Sequence, residues 1–148
     1  HYDEQSKYLI TDYIKLVLDF CVRFYDRQFK TRTIENHNVL ARMEKLLDDY
    51  FLSSLPVQKG LPTVQYCADK LCLSANYLGD LVRKVTGVSA LKHIHRKTLE
   101  IVKLRLDDQS KSINQISEEL GFSSPQHFNN WFKKMEGKTP NEYRIQGH

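Results

Sequence analysis

The sequence predicts an all-α fold: two helix-turn-helix units joined by a long linker helix and preceded by a helical hairpin. Three observations carry this expectation. Apolar residues recur at helical spacing along the chain, without alternating strand runs. Residues 112–144 hold cap, glycine-corner and first-turn proline signals for consecutive short helices. Residues 63–87 repeat that pattern upstream.

Taken in order, residues 8–29 read as a first helix, with Leu9, Tyr13, Leu16, Val17, Phe20, Phe24 and Tyr25 at helical spacing. A break is expected at residues 30–33. A second helix over residues 34–52 carries Val39, Leu40, Met43, Leu46, Leu47, Tyr50 and Phe51. Pro56, Gly60 and Pro62 mark residues 53–62 as a linker. Residues 1–60 therefore form one region, a hairpin and linker, and residues 61–148 a second. Two aromatic-rich helices either bury their surface against a partner, the favoured reading, or extend the core of the second region.

In the upstream unit, Val64, Cys67, Ala68 and Leu71 align with Ile113, Ile116, Ser117 and Leu120 at an offset of 49. Beyond the turn, Leu78, Leu81, Val82, Arg83, Lys84 and Gly87 align with Phe128, Trp131, Phe132, Lys133, Lys134 and Gly137 at an offset of 50. The downstream turn thus has one extra residue. Between the units, residues 90–106 contain no Gly or Pro and read as one helix. Its buried stripe is Leu91, Ile94, Thr98, Ile101 or Val102, and Leu106.

In the downstream unit, Ser112 caps a short helix and Gln115 completes a capping box. Gly121 ends that helix in the left-handed conformation and Phe122 plugs the corner. Ser124 and Pro125 then start a helix that buries Phe128, Trp131 and Phe132. Gln126, His127, Asn129 and Asn130 remain near its N-terminal end, with Lys133 and Lys134 further along. Amides followed by basic side chains suit base edges first and phosphates second. Thr139, Pro140 and Glu142 predict a final capped helix, with Tyr143 packed on the unit and Arg144 left for an anchoring contact.

These residues carry a resemblance. Ile113, Ile116, Ser117, Gly121, Phe122, Phe128, Phe132, Lys133, Lys134, Gly137, Thr139, Pro140, Tyr143 and Arg144 resemble the second helix-turn-helix of the AraC/XylS family of bacterial transcription regulators. Ser117 replaces the usual alanine. The resemblance implies a DNA-binding domain over roughly residues 62–144, with one monomer entering two adjacent major grooves. A helix of 17 residues spans roughly 25 Å at 1.5 Å per residue. Adding two packed units brings the recognition helices about 34 Å apart, one DNA turn. Arg96 matches the family's linker-helix arginine, which implies a phosphate contact or a helix anchor. In such regulators a sensing domain comes first, so residues 1–60 resemble the tail of a regulatory or dimerising portion.

The upstream unit is the weaker reader. Asn76, Gly79 and Asp80 stand where Gln126, Asn129 and Asn130 stand downstream. Glycine offers no side chain, and a carboxylate is repelled by phosphate unless it accepts from cytosine. Asn76 either reads adenine or supports the turn. Arg83, Lys84, Lys133 and Lys134 are the expected backbone contacts, while Lys97, Lys103 and Arg105 read as a solvated face.

Charge and chemistry agree. Of the net charge of +4, residues 1–60 contribute none, with nine Lys/Arg and nine Asp/Glu; residues 61–148 hold thirteen and nine. Cys21, Cys67 and Cys72 show no zinc spacing. Cys67 reads as a small hydrophobe. His93 and His95 fall on different faces of one helix, and no nucleophile, paired-carboxylate or phosphate-loop motif is visible. No enzyme, metal or cofactor is therefore expected, nor a membrane span or secretory signal. The expected partners are double-stranded DNA, a second copy through residues 8–52 and RNA polymerase, in the cytoplasm, with no effector named by the residues. A helical protein-interaction adaptor that does not bind DNA is the competing class; it leaves the duplication and the charge asymmetry unexplained.

Overall fold

In the computed structural model, which describes residues 3–147, there are eight helices and no strands among the described residues. Helix α1 runs unbroken over Glu4–Leu52, so the expected hairpin is a single helix. The break expected at residues 30–33 is absent, since Lys-Thr-Arg-Thr contains neither Gly nor Pro. Thr31 and Thr33 donate their hydroxyls back to the carbonyls of Arg27 and Phe29, each at 3.0 Å, and the backbone ladder continues.

Two units divide the chain, residues 1–38 and residues 39–148. In the first, α1 carries large apolar side chains that are exposed, among them Tyr8, Leu9, Tyr13, Phe20, Phe24 and Tyr25. The second unit begins with the last turns of α1 and contains α2 (Leu55–Lys59), α3 (Val64–Lys70), α4 (Ala75–Thr86), α5 (Ala90–Leu106), α6 (Ile113–Glu119), α7 (Pro125–Glu136) and α8 (Pro140–Gln146).

Two apolar clusters build this second unit. Met43 and Leu47 of α1 pack with Cys67, Ala68, Leu78, Val82 and Ile94. Tyr50 and Phe51, one turn on, pack with Val102, Leu106, Ile116, Leu120, Phe128, Phe132 and Tyr143. The end of α1 therefore belongs to the cores of both helix-turn-helix units. This removes the later part of residues 8–52 from the surface offered to a second copy.

Helix α5 also serves both clusters. Its buried residues are Ala90, Ile94, Thr98, Val102 and Leu106, a strict four-residue spacing. Leu91, expected in the stripe, is half exposed, and Val102 rather than Ile101 is fully buried. Thr98 meets its buried hydroxyl's need by donating to the Ile94 carbonyl at 2.8 Å.

The expected linker contains α2. Pro56 sits in its first turn, and Gly60 ends it with its N–H bonded to the Pro56 carbonyl at 2.8 Å. The Tyr50 hydroxyl donates to the Gly60 carbonyl at 2.6 Å. This brings α2 onto the downstream corner, where a Cβ on Gly121 would stand 2.5 Å from the Pro56 oxygen and 2.8 Å from the Gly60 carbonyl carbon.

Candidate nucleic-acid interface

The duplication read from sequence is a duplication of structure. Helices α3 and α6 each have 7 residues, and α4 and α7 each have 12. Thr63 and Ser112 cap the first pair through their side chains; Ser74 and Ser124 cap the second. Gly87 and Gly137 end α4 and α7 in left-handed conformation at φ 78° and 86°. The repeat then extends one element further than the sequence reading took it. Ser89 caps α5 as Thr139 caps α8, so the start of the linker helix is the third helix of the first unit.

At the corners, the Leu73 N–H bonds to Ala68 O at 2.9 Å and the Phe122 N–H to Ser117 O at 3.1 Å. The residue before each is left-handed: Gly121 at φ 88° and Cys72 at φ 58°. Cys72 adopts there a conformation that costs a side chain roughly 1–2 kcal/mol. The extra downstream residue is accommodated as Ser123, whose hydroxyl lies 3.1 Å from His127 Nδ1. Phe122 plugs the corner as expected, against Phe128, Trp131 and the His127 ring.

Helical phase sets what α7 can present. Phe128 and Phe132 are fully buried, and Trp131 is half-buried. Opposite them, at 100° per residue, the outward line runs through Asn130, flanked by Gln126, Lys133, Lys134 and His127. All five are exposed. Asn129 lies at the border and is half-buried, so it does not share the centre of the face with Asn130. His127 is held at the helix start by Ser123 and Phe122.

The same phase on α4, fixed by buried Leu78 and Val82, presents Asp80 with Asn76, Tyr77, Arg83 and Lys84. Tyr77, 55% exposed, shares this face although the sequence pattern gives it no role. Its alignment with His127 at the offset of 50 was the available signal.

Behind these faces the basic side chains of α5 have other work. Lys97 pairs with Asp48 at 3.0 Å, Lys103 with Glu136 at 2.8 Å and Arg105 with Glu119 at 3.6 Å. They are structural ion pairs and not a solvated face, whereas Arg96 is exposed. The two histidines separate as expected: His93 Nε2 lies 3.5 Å from Glu44, and the His95 ring meets Trp131 edge-on at 6.1 Å. Burial, assisted by the Lys134 charge, lowers the His95 pKa. Burial pushes the Cys67 thiol up to about 11, which leaves it a packing residue.

The capping box of α8 is complete through Thr139 and Glu142, Pro140 occupies its first turn, and Tyr143 meets Phe132 edge-on at 5.6 Å. Arg144 donates to the carbonyls of Leu106, Lys111 and Asp108 at 3.0, 2.9 and 3.2 Å. It thereby ties α8 to the end of α5 and to the loop that starts the downstream unit. No helix among the described residues is long and apolar enough to cross a membrane.

Residues 67–146, more than half of the chain, match the family model of a helix-turn-helix domain. The uncharacterized transcriptional regulatory protein YesN of Bacillus subtilis (strain 168) is 37% identical over 81 residues, covering 51% of this chain and 21% of that protein. The arabinose operon regulatory protein of Escherichia coli (strain K12) is 31% identical over 77 residues, covering 52% and 26%. The chain spans 11% to 34% of the length of the first curated relatives it matches. Among solved structures, the C-terminal domain of the two-component response regulator yesN from Fusobacterium nucleatum subsp. nucleatum ATCC 25586 aligns with a TM-score of 0.61 at 26% identity. That alignment covers 72% of this chain and 98% of the other. Repeated capped corners, an exposed amide and basic face on α7, and these likenesses converge: the chain belongs to the helix-turn-helix family of AraC/XylS-like transcriptional regulators and carries its DNA-binding domain.

Proposed function

We propose that one molecule inserts α4 and α7 into successive major grooves on one side of the duplex, with α7 giving most of the sequence preference. The observation that carries this is the contrast between two faces of identical helical phase. Downstream, Asn130 leads with Gln126 and His127 beside it and Asn129 at the edge. Upstream, Asp80 holds the central position, leaving Asn76 and Tyr77 as the side chains suited to bases. Arg83, Lys84, Arg96, Lys133 and Lys134 supply phosphate contacts. A second copy joins through the apolar part of α1 ahead of Val39.

Competition binding with cognate and unrelated duplexes tests the assignment. Asn130→Ala should lower cognate preference by about 1–3 kcal/mol, the range of a bidentate base contact, with little change on unrelated DNA. Equal losses on both would move Asn130 to the backbone and sink the readout. Lys133→Gln and Arg83→Gln should each weaken all duplexes and reduce the salt slope by about 0.9. A change confined to Lys133→Gln would leave only one unit on the DNA.

A further inference from the structure

The first unit of the chain poses a solvation problem of its own. Along α1, Tyr8, Leu9, Tyr13, Phe20, Phe24 and Tyr25 are each at least 60% exposed, within a longer apolar run. Helices that are apolar over most of their circumference are buried by neighbours. Apart from Arg27, which stands about 80° away round the helix, the charges between residues 12 and 30 form one stripe. Asp12, Lys15, Asp19, Arg23, Asp26 and Lys30 follow one another at steps of three or four residues, all exposed, with the sign alternating at every step.

That alternation selects a partner and a direction. Six alternating charges read backwards give the opposite sign at every position. An antiparallel copy therefore faces each anion with a cation when the two-fold axis passes beside Cys21. Asp12 then meets Lys30, Asp19 meets Arg23, and Lys15 meets Asp26 one residue from strict symmetry. In antiparallel helix pairs a flank meets the same flank of its partner, so the stripe lies against itself. A parallel pair would lay it along the neighbour's apolar flank instead. Beside the stripe, Ile14, Leu18, Val22, Tyr25 and Phe29 recur at steps of three or four residues, and the same axis brings Leu18 level with Tyr25 and Ile14 level with Phe29, each within one residue of strict symmetry, with Val22 next to the axis.

We propose that residues 12–30 of α1 pair antiparallel with the same segment of a second copy of this chain, about a two-fold axis at Cys21, with the alternating stripe as the register key. This rests on the homodimer reading above and adds its direction and register. The contact is isologous, so one self-complementary stripe suffices. Its ion pairs choose among alignments while the apolar side chains supply the affinity.

The experiment uses the full chain in a Cys21→Ser, Cys72→Ser background, which leaves only the buried Cys67. One preparation carries Asp12→Cys and another Lys30→Cys. Light scattering before oxidation reads the mass, and mild oxidation after mixing reads the alignment. The expected result is a doubled mass and a disulfide-linked pair in the mixture, but in neither preparation alone. Self-linking of each preparation would establish a parallel pair and overturn the proposal. A doubled mass with no link in any tube would sink this register while leaving the homodimer standing. A monomeric mass at every concentration, with helix content retained, would remove both. As a second readout, Asp19→Arg should weaken the pair several-fold and Arg23→Asp in the same chain should restore it. Failure of that rescue in a folded double variant also counts against the register.

Discussion

The two helix-turn-helix units share their caps, helix lengths and terminal glycines, yet differ at the corner and on the face turned outward. Upstream, the corner is held by a left-handed Cys72 and the outward face centres on a carboxylate, Asp80. Downstream, the corner is a glycine pressed against α2 and the outward face centres on an amide, Asn130. The duplication has kept what positions a helix and has let go of what that helix offers. Scaffold residues and reading residues are thus separable even within one turn: in α7, Phe128 is wholly buried while its neighbour but one, Asn130, is exposed.

The corner supplies the largest test. Gly121→Ala meets two penalties, about 1–2 kcal/mol for a left-handed side chain and about 1–3 kcal/mol for overlap with the Pro56 and Gly60 backbone. The equivalent upstream change, Cys72→Gly, should act in the opposite direction. Relief of the left-handed strain outweighs the added freedom of the unfolded chain by up to about 1 kcal/mol. Denaturant melts of both variants measure this. Losses of similar size would show that the corners are equivalent after all and that α2 exerts no pressure on Gly121.

A smaller effect probes what the units share. Thr139→Ala and Ser89→Ala remove corresponding caps, and each should cost about 0.5–2 kcal/mol. Sequence preference should be retained in the folded fraction of both. A normal melt with altered operator preference in the Thr139 variant would place that end of the domain in recognition.

The smallest effect distinguishes the units by acid. His95 rests on Trp131, whose upstream counterpart is Leu81. Folding holds the His95 pKa below its ordinary value near 6.5, so the unfolded chain binds more protons in the window just under that value. Stability should therefore fall as pH drops from about 6.5 toward the folded value. His95→Gln should flatten that decline in paired melts at neutral and mildly acidic pH. An unchanged acid response would assign the decline to other groups.

Much of this was legible because helix ends announce themselves chemically. Ser112 with Gln115, Ser124 with Pro125, and Thr139 with Glu142 each specify a start, and the structure begins α6, α7 and α8 there. Helix α5, Ala90–Leu106, spans the same residues that the sequence reads as one helix. What escaped depends on tertiary contact or on weak local contrast. A polar stretch without a breaker does not end a helix, and α1 passes through it. Five residues around Pro56 form α2 where Tyr50 and Gly121 meet it, information lying many residues away. The apolar pattern gave α7 its inner face but not the width of that face, and so it placed Asn129 too far outward.

The linker helix opens as the closing helix of the upstream unit and ends under the three bonds of Arg144, so it behaves as a geared shaft and not as a tether. One residue inserted in its middle would turn the downstream unit by about 100° and advance it by about 1.5 Å. Such a change alters facing far more than reach. Among insertions of up to two turns, seven residues come nearest to restoring the original phase, about 20° short, at a further separation of roughly 10 Å. Spacing between the two reading faces is therefore open only to coarse steps, and gradual lengthening of α5 offers no continuous route from one spacing to another.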